Sequence, residues 1–222
     1  SHLLLTAPGG SNKLRVGFHF RTYNKGGLLF SSVVNPSGRV MMLVNDDGFI
    51  EYSIQTQGEP EVRNIITNRD TYSELDVFTD GLWHTVEMEI DSGGQDRVGS
   101  ISVIVDGKPD QSNRQLMFTT QEEFFIGGGD ADGGETGFLG CMRNINIQGE
   151  MIDEIPSSGN NGVINGSCSV QDRCDPNPCE HGGICSQNYN TFECNCGNTG
   201  YEGAVCHKSK YMVSCEEARM LN

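Results

Sequence analysis

The sequence predicts an all-β fold: a β-sandwich of the jelly-roll type over residues 1–168, followed by a small disulfide-stapled module. Three observations carry this expectation. Short runs of aliphatic, β-branched and aromatic residues succeed one another through the first 168 positions with hardly any 3.6-residue apolar period. Gly, Asn or Asp bounds each run, as turns between strands require. Cysteine is absent from the first 140 positions, yet the stretch CDPNPCEHGGICSQNYNTFECNC, Cys174 to Cys196, holds five in twenty-three residues.

Taken in order, LRVGFHFRT alternates Leu14, Val16, Phe18 and Phe20 with Arg15, Gly17, His19 and Arg21, which places four apolar side chains on one face of a strand. GLLFSSVV, RVMMLVNDDGFIEYSIQ, LWHTVEMEI, SISVIVDG and EFFIGGG read as further strands. Asp47–Gly48 between two apolar runs predicts a hairpin turn, and Asp106–Gly107 a second. Trp83 is expected in the core, and His84 beside it as a packed or hydrogen-bonded histidine within a strand. Many short strands joined by polar turns imply two stacked sheets.

At 222 residues the chain has room for one ordinary domain and a small one, and 36% apolar content suffices for a core in the larger. The 15 basic against 30 acidic residues give a formal charge of −15, a field that repels nucleic acid and anionic lipid. No apolar run reaches the length of about twenty residues needed to insert in a membrane, and SHLLLTAPGG lacks the features of a secretory signal. The cysteine cluster indicates an oxidising compartment. An excised extracellular segment is therefore expected, with its signal peptide and any anchor beyond its ends.

Cys174, Cys179, Cys185, Cys194, Cys196 and Cys206 form the pattern C-x4-C-x5-C-x8-C-x-C-x9-C, for which arithmetic allows fifteen pairings. The Gly pair in EHGGIC and the Gly and aromatic in TGYEGAVC fit tight turns flanking a hairpin. This segment resembles an EGF-like module, and the resemblance implies the pairs Cys174–Cys185, Cys179–Cys194 and Cys196–Cys206. About forty residues bury too little apolar surface to offset chain entropy, so bridges stand in for a core. A zinc site would need C-x2-C pairs, which this pattern lacks. Some EGF modules hold calcium through acidic or amide residues before the first cysteine and an Asp or Asn after the third. Here Arg173 and Gln187 stand at those places, so a calcium-free spacer is expected.

Upstream, FHFRTYNKGGLLF, DGLWHTVEMEI, VIVDGK, FFIGGG and GFLGCMRNINIQG together resemble a laminin G-like (LNS) domain. Cys141 and Cys168 match the pair that family joins near its C-terminus. The order of an LNS domain (1–168), an EGF-like domain (169–207) and a tail (208–222) resembles the contactin-associated protein family. The tail then looks like the truncated start of a fibrinogen-like domain, with Cys215 left over after four bridges. The resemblance implies an adhesion module on the extracellular part of a single-pass plasma-membrane protein at neuronal, glial or septate-like cell junctions. Its implied partner is a contactin-type immunoglobulin-superfamily protein. The other reading is a calcium-dependent lectin of the agrin and laminin kind, engaging dystroglycan-type ligands. That family's rim calcium site would here draw on Glu59 or Glu61 and on Thr119–Thr120. A hydroxyl is a weaker ligand than a carboxylate, so a weak or absent site is expected.

Asn165 in NGS is a glycan acceptor in a polar, Gly-rich stretch. Catalytic patterns are missing: there is neither a G-x-S-x-G elbow nor an H-E-x-x-H helix. The Gly127–Gly129 run with Gly133 and Gly134 lacks the Lys-Ser or Lys-Thr of a phosphate loop, and Asp130-Ala-Asp132-Gly133 fits a solvated acidic turn. No enzyme and no resident cofactor are expected.

Overall fold

The computed structural model describes residues 2–67, 77–93, 97–128, 137–153 and 160–210. The chain divides into two compact units, one ending at Val170 and the other starting at Gln171. The first unit contains β1 (His2–Thr6), β2 (Lys13–Arg21), β3 (Gly27–Asn35), β4 (Gly38–Val44), β5 (Ile50–Gln55), β6 (Val62–Ile66) and β7 (His84–Asp91). It continues through β8 (Gly99–Val105), β9 (Lys108–Arg114), β10 (Thr119–Ile126), β11 (Cys141–Ile147), β12 (Glu150–Met151) and β13 (Asn160–Asn161).

These strands form a seven-stranded sheet in the order β13-β1-β10-β3-β4-β5-β6 and a six-stranded sheet in the order β12-β11-β2-β7-β8-β9. The named strand pairs are antiparallel. The all-β jelly-roll sandwich expected from the sequence is what the chain adopts. Its core follows from alternation: Leu14, Val16, Phe18 and Phe20 of β2 all point inward and are buried, beside Val86, Met88 and Ile90 of β7 and Ile101, Val103 and Val105 of β8. Across from them lie Phe30, Val40, Met42, Ile50, Tyr52 and Phe124 of the other sheet. Burying each such side chain stabilises by about 1.5–3 kcal/mol, and truncating one, as in Phe18→Ala, costs about 3–5 kcal/mol because a cavity remains.

Both predicted hairpins form, with different geometry. At Asp106–Gly107 both residues have positive φ (49° and 76°) and Val105 faces Lys108, giving a two-residue turn of the type that matches strand twist. At Asp47–Gly48 the turn is longer, because Asn45 closes it: the Asn45 N–H donates to Phe49 O (2.8 Å), and Asn45 Oδ1 accepts from the N–H groups of Asp47 and Phe49. The Asn side chain substitutes for strand pairing there.

The second unit holds the hairpin of β14 (Ile184–Gln187) and β15 (Phe192–Asn195) and the short pair of β16 (Tyr201–Glu202) and β17 (Lys208–Ser209). The Gly pair before Cys185 has a local cause. Gly182 sits at φ 78°, and a Cβ on Gly183 would lie 2.6 Å from Cys206 Sγ. Only glycine lets this turn press against the bridge.

Candidate binding surface

The outward face of the six-stranded sheet carries the alternate residues that the core does not use. On β2 these are Lys13, Arg15, Gly17, His19 and Arg21; on β7, Thr85, Glu87, Glu89 and Asp91. Ser100, Ser102 and Ile104 continue the face on β8, and Arg143, Asn144 and Asn146 on β11. A groove of about 920 Å³ runs over it, lined among others by Arg15, Gly17, His19, Glu87, Ser102, Asn144 and Asn146. Gly17 makes the low point. A Cβ there would lie 3.9 Å from Asn146 Cβ on one side and 3.9 Å from Glu87 Cγ on the other.

Most charges on the face are paired. Arg15 bridges Glu89 through two contacts (3.1 and 3.2 Å), which raises its pKa above the ordinary guanidinium value. Asp91 meets Lys13 at 3.2 Å and Arg97 at 3.0 Å. A hydrogen bond from the Gly93 N–H, joined by Lys13 and Arg97, holds the Asp91 carboxyl below the usual range despite desolvation. Glu87 belongs to neither pair. Four basic residues (Lys13, Arg15, Arg21, Arg143) thus stand with three acidic ones (Glu87, Glu89, Asp91) on a chain whose overall ratio is 15 to 30.

A β-bulge shapes one wall of the groove. The β11–β2 register shifts between Arg143 and Asn146, and Asn144 takes φ 52°, sending Ile145 into the core. The exposed Asn144 amide donates to His19 Nδ1 at 3.4 Å. Beyond Thr85 on the same face lies Trp83, with the Arg143 guanidinium 4.0 Å above its ring centre. Trp83 is half-buried, which corrects the core expectation: His84 takes the inward position instead.

His84 is buried between Phe20 and Phe78 (ring centroids at 5.4 and 5.2 Å). Both ring nitrogens donate, Nδ1 to Asp106 Oδ2 at 2.7 Å and Nε2 to Asp80 Oδ1 at 3.0 Å. Only the imidazolium has two donors. Burial works against that charge, but the hydrogen bonds and charges of Asp80 and Asp106 outweigh it, so the His84 pKa is raised. Burial likewise pushes Asp80 up, and the bonds from His84 and the Leu82 N–H carry it below the usual carboxylate range.

Of the residues singled out from sequence, Cys141 is bonded to Cys168, Cys174 to Cys185, Cys179 to Cys194 and Cys196 to Cys206. Asn165 is exposed. Glu59 and Glu61 line a separate hollow of about 370 Å³ with Arg63 and Arg114. Thr120 is buried on β10, where its Oγ1 accepts from the Ser11 N–H at 3.2 Å. Two strands, β3 and β4, intervene between β10 and β5, from which the Glu59–Glu61 loop departs, a span of about 14 Å. The structure does not bring the three into one ligand set. Among the described residues no group of three or more His, Cys, Asp or Glu side chains is placed to hold a metal.

At the other suggested calcium position, Gln187 Oε1 accepts from the Arg173 N–H, its amide donates to Asp172 Oδ1 (2.8 Å), and the Arg173 guanidinium donates to Tyr189 O (3.5 Å). The oxygen of Gln187 is thus engaged by a backbone N–H, and the guanidinium contacts only the Tyr189 carbonyl among these groups. Cys215 and the Asp130–Gly134 turn lie outside the described residues. Sequence reasoning missed the groove. Its one signal was Gly17 at an outward position of a strong strand, since an interior strand glycine often marks close approach by another group.

Comparison with known proteins fits this geometry. Residues 20–150 match the family model described as Laminin G domain, and residues 174–205 that of the EGF-like domain. The chain is 32% identical over 213 residues to Neurexin-4 of Drosophila melanogaster, covering 92% of this chain and 15% of that protein. It therefore spans about 15% of the length of that relative. Among solved structures, the mouse laminin alpha1 chain, domains LG4-5, is similar with a TM-score of 0.53 at 18% identity, over 69% of this chain and 40% of that one. At that identity the likeness speaks to the fold.

Proposed function

The chain belongs to the laminin G domain family, and from that premise we propose that it is a non-enzymatic binding module from the extracellular part of a single-pass membrane adhesion protein at cell junctions. One observation carries the reading: a laminin G domain followed directly by a six-cysteine EGF-like domain, with 32% identity to Neurexin-4 across 92% of the chain. The proposed partner is a contactin-type immunoglobulin-superfamily protein. The EGF-like unit acts as a spacer. The boundaries 1–168, 169–207 and 208–222, the last as the start of a fibrinogen-like domain, belong to the same proposal. The −15 charge supports a protein partner over nucleic acid or an anionic membrane.

The test is binding of the folded chain to contactin-type ectodomains with calcium and with a chelator. Saturable binding that survives the chelator is the expected result. A signal abolished by the chelator would favour the calcium-dependent lectin reading, and no binding to any such ectodomain would remove the partner assignment.

A further inference from the structure

We infer that the outward face of the six-stranded sheet is a calcium-independent site for a neutral oligosaccharide, such as an arm of an N-linked glycan on a partner glycoprotein. The inference rests on the binding-module reading and deepens it by naming what the module touches.

The groove is read by side chains alone. β2 and β7 each have a strand on both sides, so their backbone groups are committed to the sheet and cannot take up an added peptide strand. At the low point Gly17 leaves the β2 backbone open between the Asn146 amide and the Glu87 carboxylate. Its φ is not in the left-handed region, so the chain path does not demand glycine. An interior strand glycine weakens the strand and leaves a gap that another group can approach closely.

The donor set suits hydroxyl groups. Each sugar hydroxyl both donates and accepts, and the groove offers both senses: Glu87 accepts, Asn144 and Asn146 do both, and His19, whose Nδ1 accepts from Asn144, donates through Nε2. The bulge holds Asn144 at φ 52° with its amide against His19, so part of this wall is fixed before a ligand arrives. Charge points the same way. Four basic residues against three acidic leave this face close to neutral, on a chain of −15, and a near-neutral face has no electrostatic preference for a strongly basic segment.

The experiment is an amide NMR titration of the folded chain, in chelator, with two probes: a high-mannose N-glycan and a galactose-terminated biantennary N-glycan. Saturable shifts are expected for one of them, confined to Gly17, Thr85, Ser102, Asn144 and their neighbours. Gly17→Leu fills the slot and should weaken binding at least about tenfold; Glu87→Gln, an exposed change that keeps the fold, should weaken it about fivefold, the difference between a charged and a neutral acceptor. Absence of shifts with both glycans, shifts elsewhere, a requirement for calcium, or shifts unmoved by Glu87→Gln would overturn the inference. So would a lysine-rich peptide shifting these amides when the glycans do not. A contactin-type ectodomain that binds equally well after enzymatic deglycosylation would sink this inference and leave the protein-binding reading standing.

Discussion

His84→Phe isolates what the buried imidazolium contributes. The substitution keeps an aromatic ring between Phe20 and Phe78 and removes both bonds to Asp106 (2.7 Å) and Asp80 (3.0 Å). A hydrogen bond to a charged group contributes about 1.5–3 kcal/mol, so two give about 3–6 kcal/mol. The Asp80 and Asp106 side chains keep 34% and 30% of their exposure, and solvent screening moves the expectation to the lower end, about 3 kcal/mol. For a unit of this size that is a fall of about 6–12 °C in Tm. The pH dependence has a definite sign. The His84 pKa is raised in the fold, so its contribution is full below the ordinary histidine value of about 6.5 and is lost as pH rises through the folded value. The Asp80 pKa is depressed, so its contribution is full above about 4 and is lost as pH falls through the folded value. Urea unfolding of wild type and variant at about pH 5.5 and about pH 9 reads the difference. The wild-type advantage must be larger at the lower pH. An advantage that is equal at both, or larger at alkaline pH, would refute the assignment of a charged, doubly bonded His84.

Three further outcomes follow from the same structure. Non-reducing peptide mapping should recover Cys141–Cys168 and the three EGF-unit pairs, and the double change Cys141→Ser, Cys168→Ser should destabilise the first unit by about 3.5 kcal/mol, from a separation of 27 residues. In secreted material Asn165→Gln should remove all mass sensitive to an N-glycosidase; sensitivity retained by the variant would locate the glycan elsewhere. Burial and the bond from its hydroxyl to Asp110 Oδ2 (2.8 Å) push the Tyr52 phenol up to about 12. Tyr52→Phe should cost about 1–2 kcal/mol at neutral pH. The wild-type bond is full below pH of about 10 and is lost as pH rises through the folded value, and a tyrosinate absorbance titration without a late-ionising group would contradict this.

Much of the sandwich was legible because alternation on β2, β7 and β8 reports directly which side chains face inward. β9 was not, since KPDQSNR has no apolar face; it is an edge strand, where Pro109 and charged residues are tolerated because one side of the backbone is unpaired. β6, VRNII, is the edge of the other sheet, and it escaped because Asn64 interrupts the inward row of Val62 and Ile66. Trp83 was misplaced because the inward site went to a histidine whose carboxylate partners lie at 80 and 106, an arrangement that no local pattern encodes. The groove was half visible: Arg15, Gly17 and His19 were read as one outward face, but the walls come from β7 and β11, distant in sequence, and Asn144 reaches its place through a bulge that residue type alone does not announce.

The Cys141–Cys168 bond also decides how an adhesion chain bears load. Tension arriving from beyond Cys168 crosses the sulfur atoms to Cys141 at the start of β11 and bypasses everything between them, β12 and β13 included. Force applied ahead of His2 enters at β1, in the other sheet. With the bond intact, pulling therefore acts between the two sheets and must work against their shared core. Once the bond is reduced, the pull reaches β13 first, and a two-residue pairing, His2–Asn161 and Leu3–Asn160, opens like a zipper from its end. The same cross-link that saves chain entropy thus sets the mechanical strength of the module, and makes that strength answer to the redox state outside the cell.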